Sequence, residues 1–344
     1  MHTNEVTIHD IAEILGINSS TVSRALNNSP RVAQKTKDKI LKKANELGYQ
    51  RNDLASNLRK SKTFTLGVIV PRISRHFFSS AIAGIEEAAF KEGYNVIICQ
   101  SLESLEREQS IINTLVANRV DGVLISISME TENYKHFKGL EQRNIPFVFF
   151  DRHCNISKTS KVVIDDFEAA YRATEHLIQQ KSTEIAHFSG PQNLEIYKNR
   201  FKGYKAALEN YKIPFREELV IASSLMEDDG AKNIKKILSL PFQVDGLFCA
   251  NDVVAIGAIQ YLKKIGIKIP EDIAIVGFSN ETTSSVIDPA LTTIHQSGFK
   301  IGQIATNLLL DKISNDDKKQ IHETIIVKTN LIERKSSLRI EKHE

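Results

Sequence analysis

Asn18-Ser19-Ser20-Thr21-Val22-Ser23-Arg24-Ala25-Leu26-Asn27 reads as a short helix with two apolar anchors, Val22 and Leu26, four residues apart on its inner side. Ser19, Ser20, Ser23 and Arg24 are left on or near the exposed side, and Asn18 is suited to cap the N-terminus. A helix precedes it. Thr7-Ile8-His9-Asp10 fits a capping box, Ile8, Ile11, Ala12 and Leu15 recur at helical spacing, and Gly16 supplies a left-handed stop. A third helix follows, with Ile40, Leu41, Ala44 and Leu47 on its apolar face and Gly48 after it. This is the pattern a helix-turn-helix needs in order to lay its second helix in the DNA major groove. A small three-helix bundle used for protein contact would share it.

Charge separates this head from the remainder. Residues 1–62 hold 11 Lys+Arg against 6 Asp+Glu, or +5, and the other residues hold 34 against 36, or −2. A basic head on a near-neutral body points to a polyanion as partner of the head alone, the bland alternative being a solvated basic surface. The 344 residues allow two or three domains, and 41% hydrophobic with 25% charged residues is ordinary for a soluble chain. Cys99, Cys154 and Cys249 are scattered and show no metal-ligand or disulfide spacing. The first residues do not read as a signal peptide, no apolar run approaches the ~20 residues of a membrane span, and a reducing cytoplasm is the expected compartment. No cofactor or metal is expected.

Beyond residue 62 the period changes. Residues 52–60 could form about two helical turns, too few to be stable alone. Leu66-Gly67-Val68-Ile69-Val70, ended by Pro71, then reads as a buried parallel strand. A helix over Phe78–Lys91, the strand Asn95–Ile98, a helix over Leu105–Asn118, the strand Gly122–Ile125, a helix near Thr131–Arg143 and the strand Pro146–Phe150 follow. The alternation restarts with Val162–Ile164, a helix over Phe167–Gln180, Ile185–Phe188 and a helix over Leu194–Asn210, with further strands near Leu219–Ala222, Gly246–Cys249 and Ile273–Val276. Two such α/β halves predict two doubly wound parallel sheets facing a ligand cleft.

The head resembles the DNA-binding headpiece of the lactose/galactose repressor family of bacterial transcription regulators. Thr7-Ile8-His9-Asp10-Ile11-Ala12, Thr21 to Asn27, Lys39-Ile40-Leu41 and Glu46-Leu47-Gly48-Tyr49 carry the resemblance. In the body it continues through Phe77-Phe78, Gly93-Tyr94, Val120-Asp121-Gly122, Ala250-Asn251-Asp252, Ile275-Val276-Gly277-Phe278 and Leu291-Thr292-Thr293-Ile294, similar to the periplasmic sugar-binding fold that the family uses as its sensor. The resemblance implies an all-α headpiece at 1–50, a hinge helix and linker at 51–63, and a two-lobed periplasmic-binding-protein-like sensor at 64–344. Because the family chain crosses between lobes three times, the first lobe is expected at about 64–163 and 296–323, the second at about 164–295 and 324–340. The implied DNA-facing residues are Thr7, Ser19, Ser20, Thr21, Ser23, Arg24 and Asn27, with Asn52, Leu58 and Arg59 from the hinge. Leu58 matches the leucine that wedges into the minor groove, its bland reading being a packing residue.

If the strand ends face one cleft, the candidate effector residues are Arg72, Arg75, Phe77, Phe78, Asp151 and Arg152 from the first lobe, and Tyr197, Arg200, Asn251, Ser279 and Gln296 from the second. Arg200 matches the family arginine that grips effector oxygens, and its fork of donors suits vicinal hydroxyls or a carboxylate. Ser279 departs from the family, where many relatives have an aspartate, so that contact is lost. Phe77 and Phe78 could stack on a sugar face or belong to the core. Arg72, Arg75 and His76 in one loop, with Arg152 and Arg200, predict an anionic effector such as a sugar acid or sugar phosphate. The alternative is that Arg72 and Arg75 point to solvent or to a dimer mate while Asp151, Asp165 and Asp166 neutralise the rest. His187 reads as a core residue; His76, His153 and His295 read as rim residues.

No dinucleotide, P-loop or nucleophile-elbow motif is present, so an enzyme is not expected. A transport component would be expected to lack the headpiece, a sugar-processing enzyme to carry a catalytic motif, and an architectural DNA binder to lack the sensor. The expected partners are a pseudopalindromic double-stranded operator, a sugar-like effector and a second copy of the chain, with no membrane. A tetramer is not expected, because residues 331–340 lack apolar heptads. Leu58→Ala should weaken specific DNA binding and reduce bending while leaving effector binding intact. Gel-shift and bending assays check this, and unchanged bending removes the wedge role.

Overall fold

A computed structural model of the chain describes residues 6–49, 62–154, 159–315 and 321–339. The hinge candidates Asn52, Leu58 and Arg59 lie outside the described residues. The chain forms two compact units, Met1–Thr63 and Phe64–Glu344.

The first unit contains α1 (Ile8–Leu15), α2 (Ser19–Leu26) and α3 (Gln34–Glu46). The capping box of α1 is present in full. The Thr7 N–H donates to Asp10 Oδ2 at 2.7 Å, and Thr7 Oγ1 accepts from the Asp10 amide at 3.4 Å. Gly16 ends α1 at φ 63°. Asn18 precedes α2 with an extended backbone, but its side chain makes no cap hydrogen bond. The core is Ile11, Ala12, Val22, Ala25, Val32, Ile40 and Ala44. Two sequence assignments shift here. Leu26 is only half-buried, with Ala25 in its place at the centre, and Leu41 is exposed because helical rotation carries it past the seam occupied by Ile40 and Ala44.

The second unit has two six-stranded sheets. Along the chain it runs β1 (Thr65–Val70), α4 (His76–Lys91), β2 (Asn95–Gln100), α5 (Leu105–Ala117), β3 (Gly122–Ile125), α6 (Lys138–Glu141), β4 (Phe147–Phe150), β5 (Ser160–Ile164) and α7 (Asp166–Gln179). Then come β6 (Ile185–Ser189), α8 (Glu195–Asn210), β7 (Val220–Ala222), α9 (Glu227–Leu238), β8 (Gly246–Cys249), α10 (Asp252–Lys264), β9 (Ala274–Phe278), β10 (Thr292–His295), α11 (Gly298–Ser314), β11 (Thr324–Val327) and β12 (Asn330–Ile332). The first sheet is ordered β11-β5-β4-β3-β1-β2 and the second β12-β10-β9-β8-β6-β7. Pairing is parallel except for β12, which runs antiparallel to β10.

Two expectations are corrected. The helix near Thr131–Arg143 reduces to a 3₁₀ turn at Lys135–Phe137 and the four-residue α6. Thr131 is drawn instead into a buried cluster, its hydroxyl donating to Glu108 Oε1 at 2.9 Å. The third crossing falls after Val327 rather than after residue 323. The β-branched run Thr324-Ile325-Ile326-Val327 pairs in parallel with Lys161–Ile164 and closes the edge of the first sheet.

Helix pairs approach closely at glycines. A Cβ on Gly302 of α11 would stand 2.1 Å from the Ala81 carbonyl oxygen of α4, and one on Gly84 of α4 would stand 2.1 Å from the Phe299 carbonyl oxygen of α11. Gly203 of α8 meets Phe167 of α7 and Gly257 of α10 meets Glu227 of α9 in the same way, at 2.2 and 2.1 Å. Each pair is fixed by backbone against backbone, so the helices that begin at the cleft have little freedom to slide. Gly302→Ala forces α4 and α11 apart and should destabilise the protein by about 1–3 kcal/mol, measured by chemical denaturation; an unchanged midpoint would show that this contact is slack.

Candidate functional site

In the headpiece, α2 presents Ser20 and Arg24 to solvent, while Ser19, Thr21 and Ser23 are half-buried along the same edge. No acidic residue stands in its first turn, so the free N–H groups there keep their positive end for an anion. Arg31, Lys35, Lys39 and Lys42 are also exposed. Thr7 is engaged in the α1 cap, its hydroxyl donating to Asp10 Oδ2 at 2.8 Å. Asn27 folds back, donating from Nδ2 to the Ser23 carbonyl at 2.8 Å.

In the second unit, both sheets aim their strand C-termini at one cavity. Arg75, Phe77 and Phe78 follow β1; Asp151 and Arg152 follow β4; Tyr197 and Arg200 stand on α8 after β6; Asn251 follows β8, Ser279 follows β9 and Gln296 follows β10. All ten line the cavity. Arg72 does not, and belongs to the loop beside it. Sheet order reverses beside β1 and beside β6, and ligands of open α/β sheets bind at such switch points.

Local geometry explains the placement. Asp151 has φ 58°, a left-handed conformation that aspartate tolerates better than most residues, and this turns the chain out of β4 into the cavity. Tyr197 lies flat on Gly190, where a Cβ would stand 2.5 Å from the ring. Phe77 and Phe78 meet edge to face at 5.1 Å and are nearly buried, so they are core residues whose rims reach the cavity. Asn251 caps α10, accepting from the Val254 amide at 2.9 Å and donating to the Leu225 carbonyl at 3.0 Å.

Two of the three cavity arginines are paired with carboxylates. Arg200 Nε donates to Asp166 Oδ1 at 2.8 Å, its Nη1 donates to the Ala250 carbonyl at 2.7 Å, and its guanidinium lies 3.7 Å from the centre of the Phe278 ring. Arg152 Nη1 donates to Glu103 Oε2 at 2.8 Å and its Nη2 to the Tyr197 hydroxyl at 3.4 Å. Burial opposes the Arg152 charge, but Tyr197, Glu103 and Asp151 outweigh it and raise its pKa. Burial also pushes Asp166 up to about 6 against the pull of Arg200, and raises Asp151 against Arg152 and Arg200. Asp151 accepts from Gln296 Nε2 at 3.4 Å, and Gln296 Oε1 accepts from the Ser279 hydroxyl at 2.7 Å. Two arginines of the cationic cluster expected from the sequence, Arg152 and Arg200, are therefore paired with carboxylates, whereas Arg75 at the cavity wall donates to the Leu225 carbonyl and faces the Met226 sulfur. Each buried arginine holds a carboxylate, because an unpaired charge there would be costly.

The described residues contain no group of acidic, histidine and cysteine side chains placed to hold a metal, and no helix long and apolar enough to cross a membrane.

Family comparison agrees with this architecture. Residues 63–335 match the model described as periplasmic binding proteins and sugar binding domain of LacI family, and residues 7–52 match bacterial regulatory proteins, lacI family. The chain belongs to the LacI family of bacterial transcription regulators. It is 31% identical over 318 residues to the HTH-type transcriptional repressor PurR of Vibrio parahaemolyticus, covering 92% of this chain and 95% of that one. Among solved structures it is similar to a transcriptional regulator CelR–cellobiose complex, with TM-score 0.73 and 25% identity over 96% of this chain and 100% of the other. It also shares the fold of the lac repressor dimer bound to operator and an anti-inducer, with TM-score 0.86 and 24% identity over 98% of this chain and 100% of the other.

Ser279 brings no carboxylate to the cavity, yet Glu281 two residues on lines it. Sequence reasoning missed Glu281, as it did Ile196 and Val253. The last two adjoin Tyr197 and the Asn251-Asp252 pair and could have been found by helix register. Glu281 depends on left-handed backbone at Ser279 and Asn280, φ 107° and 54°, which no motif announces. Glu103, the partner of Arg152, comes from a loop 49 residues away.

His187 is core, as expected. It stacks 4.7 Å from Phe248, donates from Nδ1 to the Phe248 carbonyl at 3.0 Å, and burial pulls its pKa down to about 4. His153 is half-buried and also pulled down to about 4 by burial; neither it nor His295 lines the cavity. Because the unfolded chain takes up the His187 proton first, near its ordinary value of 6.5, this residue's contribution is complete above that value and is lost as pH falls towards 4. His187→Phe should therefore lose about 2 kcal/mol less than wild type between pH 7 and pH 5, read from denaturant melts. Equal losses would place the imidazole in contact with water.

Proposed function

We propose that this chain is a repressor that binds a pseudopalindromic operator as a homodimer through the α2 face, under the control of a neutral, carbohydrate-type molecule held between the two lobes of Phe64–Glu344. The observation that carries the effector reading is the pairing of both buried arginines, Arg152 and Arg200, with carboxylates in the cavity at the two sets of strand ends. Carboxylate, guanidinium and amide groups face inward beside the rims of Phe78 and Tyr197. Hydroxyl groups can both donate to Asp151 and accept from Arg200, whereas an added carboxylate or phosphate would have to compete with Asp166 and Glu103 for the arginines. The complex of CelR with cellobiose, and the description of the matched domain as sugar binding, support the same class.

The lac repressor dimer bound to operator supports the DNA reading, in which two headpieces related by a two-fold axis meet two half-sites. Residues 331–339 fold onto the second lobe. Arg334 donates to the Leu291 carbonyl and to Asn280, and Arg339 to the carbonyls of Pro270, Gln180 and Asp245. This tail is tied to its own chain, which supports a dimer as the working assembly. The effector acts by its different affinity for open and closed lobes, since only that difference shifts the equilibrium.

Calorimetric titration with matched pairs, each a hexose and its uronic acid, tests the effector class. The neutral sugar of the recognised pair should bind at least as tightly as the acid. An acid favoured tenfold or more would reverse the charge assignment, and no binding by any sugar would remove the carbohydrate reading.

A further inference from the structure

The first turn of α4 forms part of the cavity wall, and its N-terminus lacks a cap of its own. Arg75 is the N-cap residue and offers no side-chain acceptor, and no acidic residue follows in the first turn of this 16-residue helix. The positive end of its dipole and its free N–H groups call for an acceptor. One arrives from the other lobe: Glu281 Oε2 accepts from the His76 N–H at 3.2 Å. Beside it Thr282 Oγ1 and His76 Nδ1 are 3.3 Å apart, and Arg75 Nη2 reaches the Leu225 carbonyl at 3.4 Å and Met226 Sδ at 3.3 Å. The start of α4 is thus gripped from the second lobe at several points.

Glu281 is built to reach across. Its own N–H donates to Asp252 Oδ2 at 2.7 Å, and Asp252 is fully buried at the start of α10, accepting also from the Ser284 hydroxyl at 2.7 Å and the Thr293 hydroxyl at 2.6 Å. The preceding Asn280 is tied by its N–H to Thr293 Oγ1 at 3.2 Å and by its Oδ1 to Arg334 at 2.8 Å. A loop held this firmly presents the carboxylate as a fixed group of the second lobe. Opening the lobes withdraws it from α4, and closing them restores the cap.

We propose that Glu281 is a positioning residue of the effector cleft, one that caps α4 across the lobes and thereby sets how far the sugar-free protein is already closed. The consequence for effector affinity rests on reading this cleft as the effector site, but the capping itself does not. A partly closed resting state would raise affinity in proportion to the population competent to bind.

The test uses the full chain without any sugar, spin-labelled through cysteines placed at the exposed positions Glu92 on the first lobe and Lys236 on the second, with Cys99 replaced by serine and the labelled protein diluted in unlabelled protein. Electron–electron distance measurement then compares Glu281→Ala, Glu281→Gln and His76→Pro with the parent. Proline suits the first helical position and removes only the N–H and the imidazole, and the extended backbone of Arg75, φ −81° and ψ 129°, is one that a following proline permits. Glu281→Ala should increase the long-distance population at least threefold, Glu281→Gln should fall between it and the parent, and His76→Pro should match Glu281→Ala. Adding Glu281→Ala to His76→Pro should change nothing more. Parental distances in Glu281→Ala, or additive effects in the double variant, would overturn the proposal. If the alanine variant does not fold, parental distances in His76→Pro would overturn it equally well.

Discussion

Arg200 is held at once by a carboxylate, a carbonyl and an aromatic face, and the second half of the cleft is organised around it. Asp166 opens α7 just after the first crossing between lobes, Ala250 follows β8, Phe278 ends β9, and Arg200 itself stands on α8. One guanidinium thereby fixes the relative placement of four segments that are far apart in sequence. A buried ion pair contributes little net stability, because desolvation offsets most of the attraction. What it supplies is geometry, since removing either partner leaves a buried charge that the fold can accommodate only by moving. Glu103 and Arg152 do the same for the first lobe, from a loop and a strand end.

The helices that carry these groups are set by a different kind of constraint. Glycines at 84, 203, 257 and 302 bring backbones into contact, so α4 with α11, α7 with α8 and α9 with α10 behave as rigid pairs. Rigid pairs hinged at three chain crossings are what a two-state sensor requires. Compensation of charge inside each lobe serves the same end. Buried arginines that already hold carboxylates reduce the electrostatic bias towards closure, which leaves more of the balance to weaker contacts across the cleft.

Much of this was legible in the chain. The helix-turn-helix could be read because its signals are local: the Thr7–Asp10 box, Gly16, and the spacing of Ile11, Val22 and Ile40. The alternating apolar runs and helices identified two parallel sheets, because a strand covered on both faces must be continuously apolar. Ten of the eleven cleft candidates line one cavity, since loops after parallel strands share one end of a sheet whatever their sequence. The exception, Arg72, sits in the correct loop; which side chains of a loop turn inward depends on backbone angles that composition does not encode.

The sequence by itself determined the local elements and the class of fold, because each follows from short-range spacing, and its motifs carried the resemblance to the family. Only the tertiary structure decided which of the cleft's charges are paired. Two of the five basic residues of the sequence argument counted as surplus charge until Asp166, 34 residues from Arg200, and Glu103, 49 residues from Arg152, were seen to be their partners. Pairings over such distances are set by how helices and strands pack, not by any motif. The same holds for Glu281, whose carboxylate meets a helix 205 residues away, and for β11, whose run of Thr, Ile and Val could have closed the edge of either sheet and joined the first because β5 was left open there.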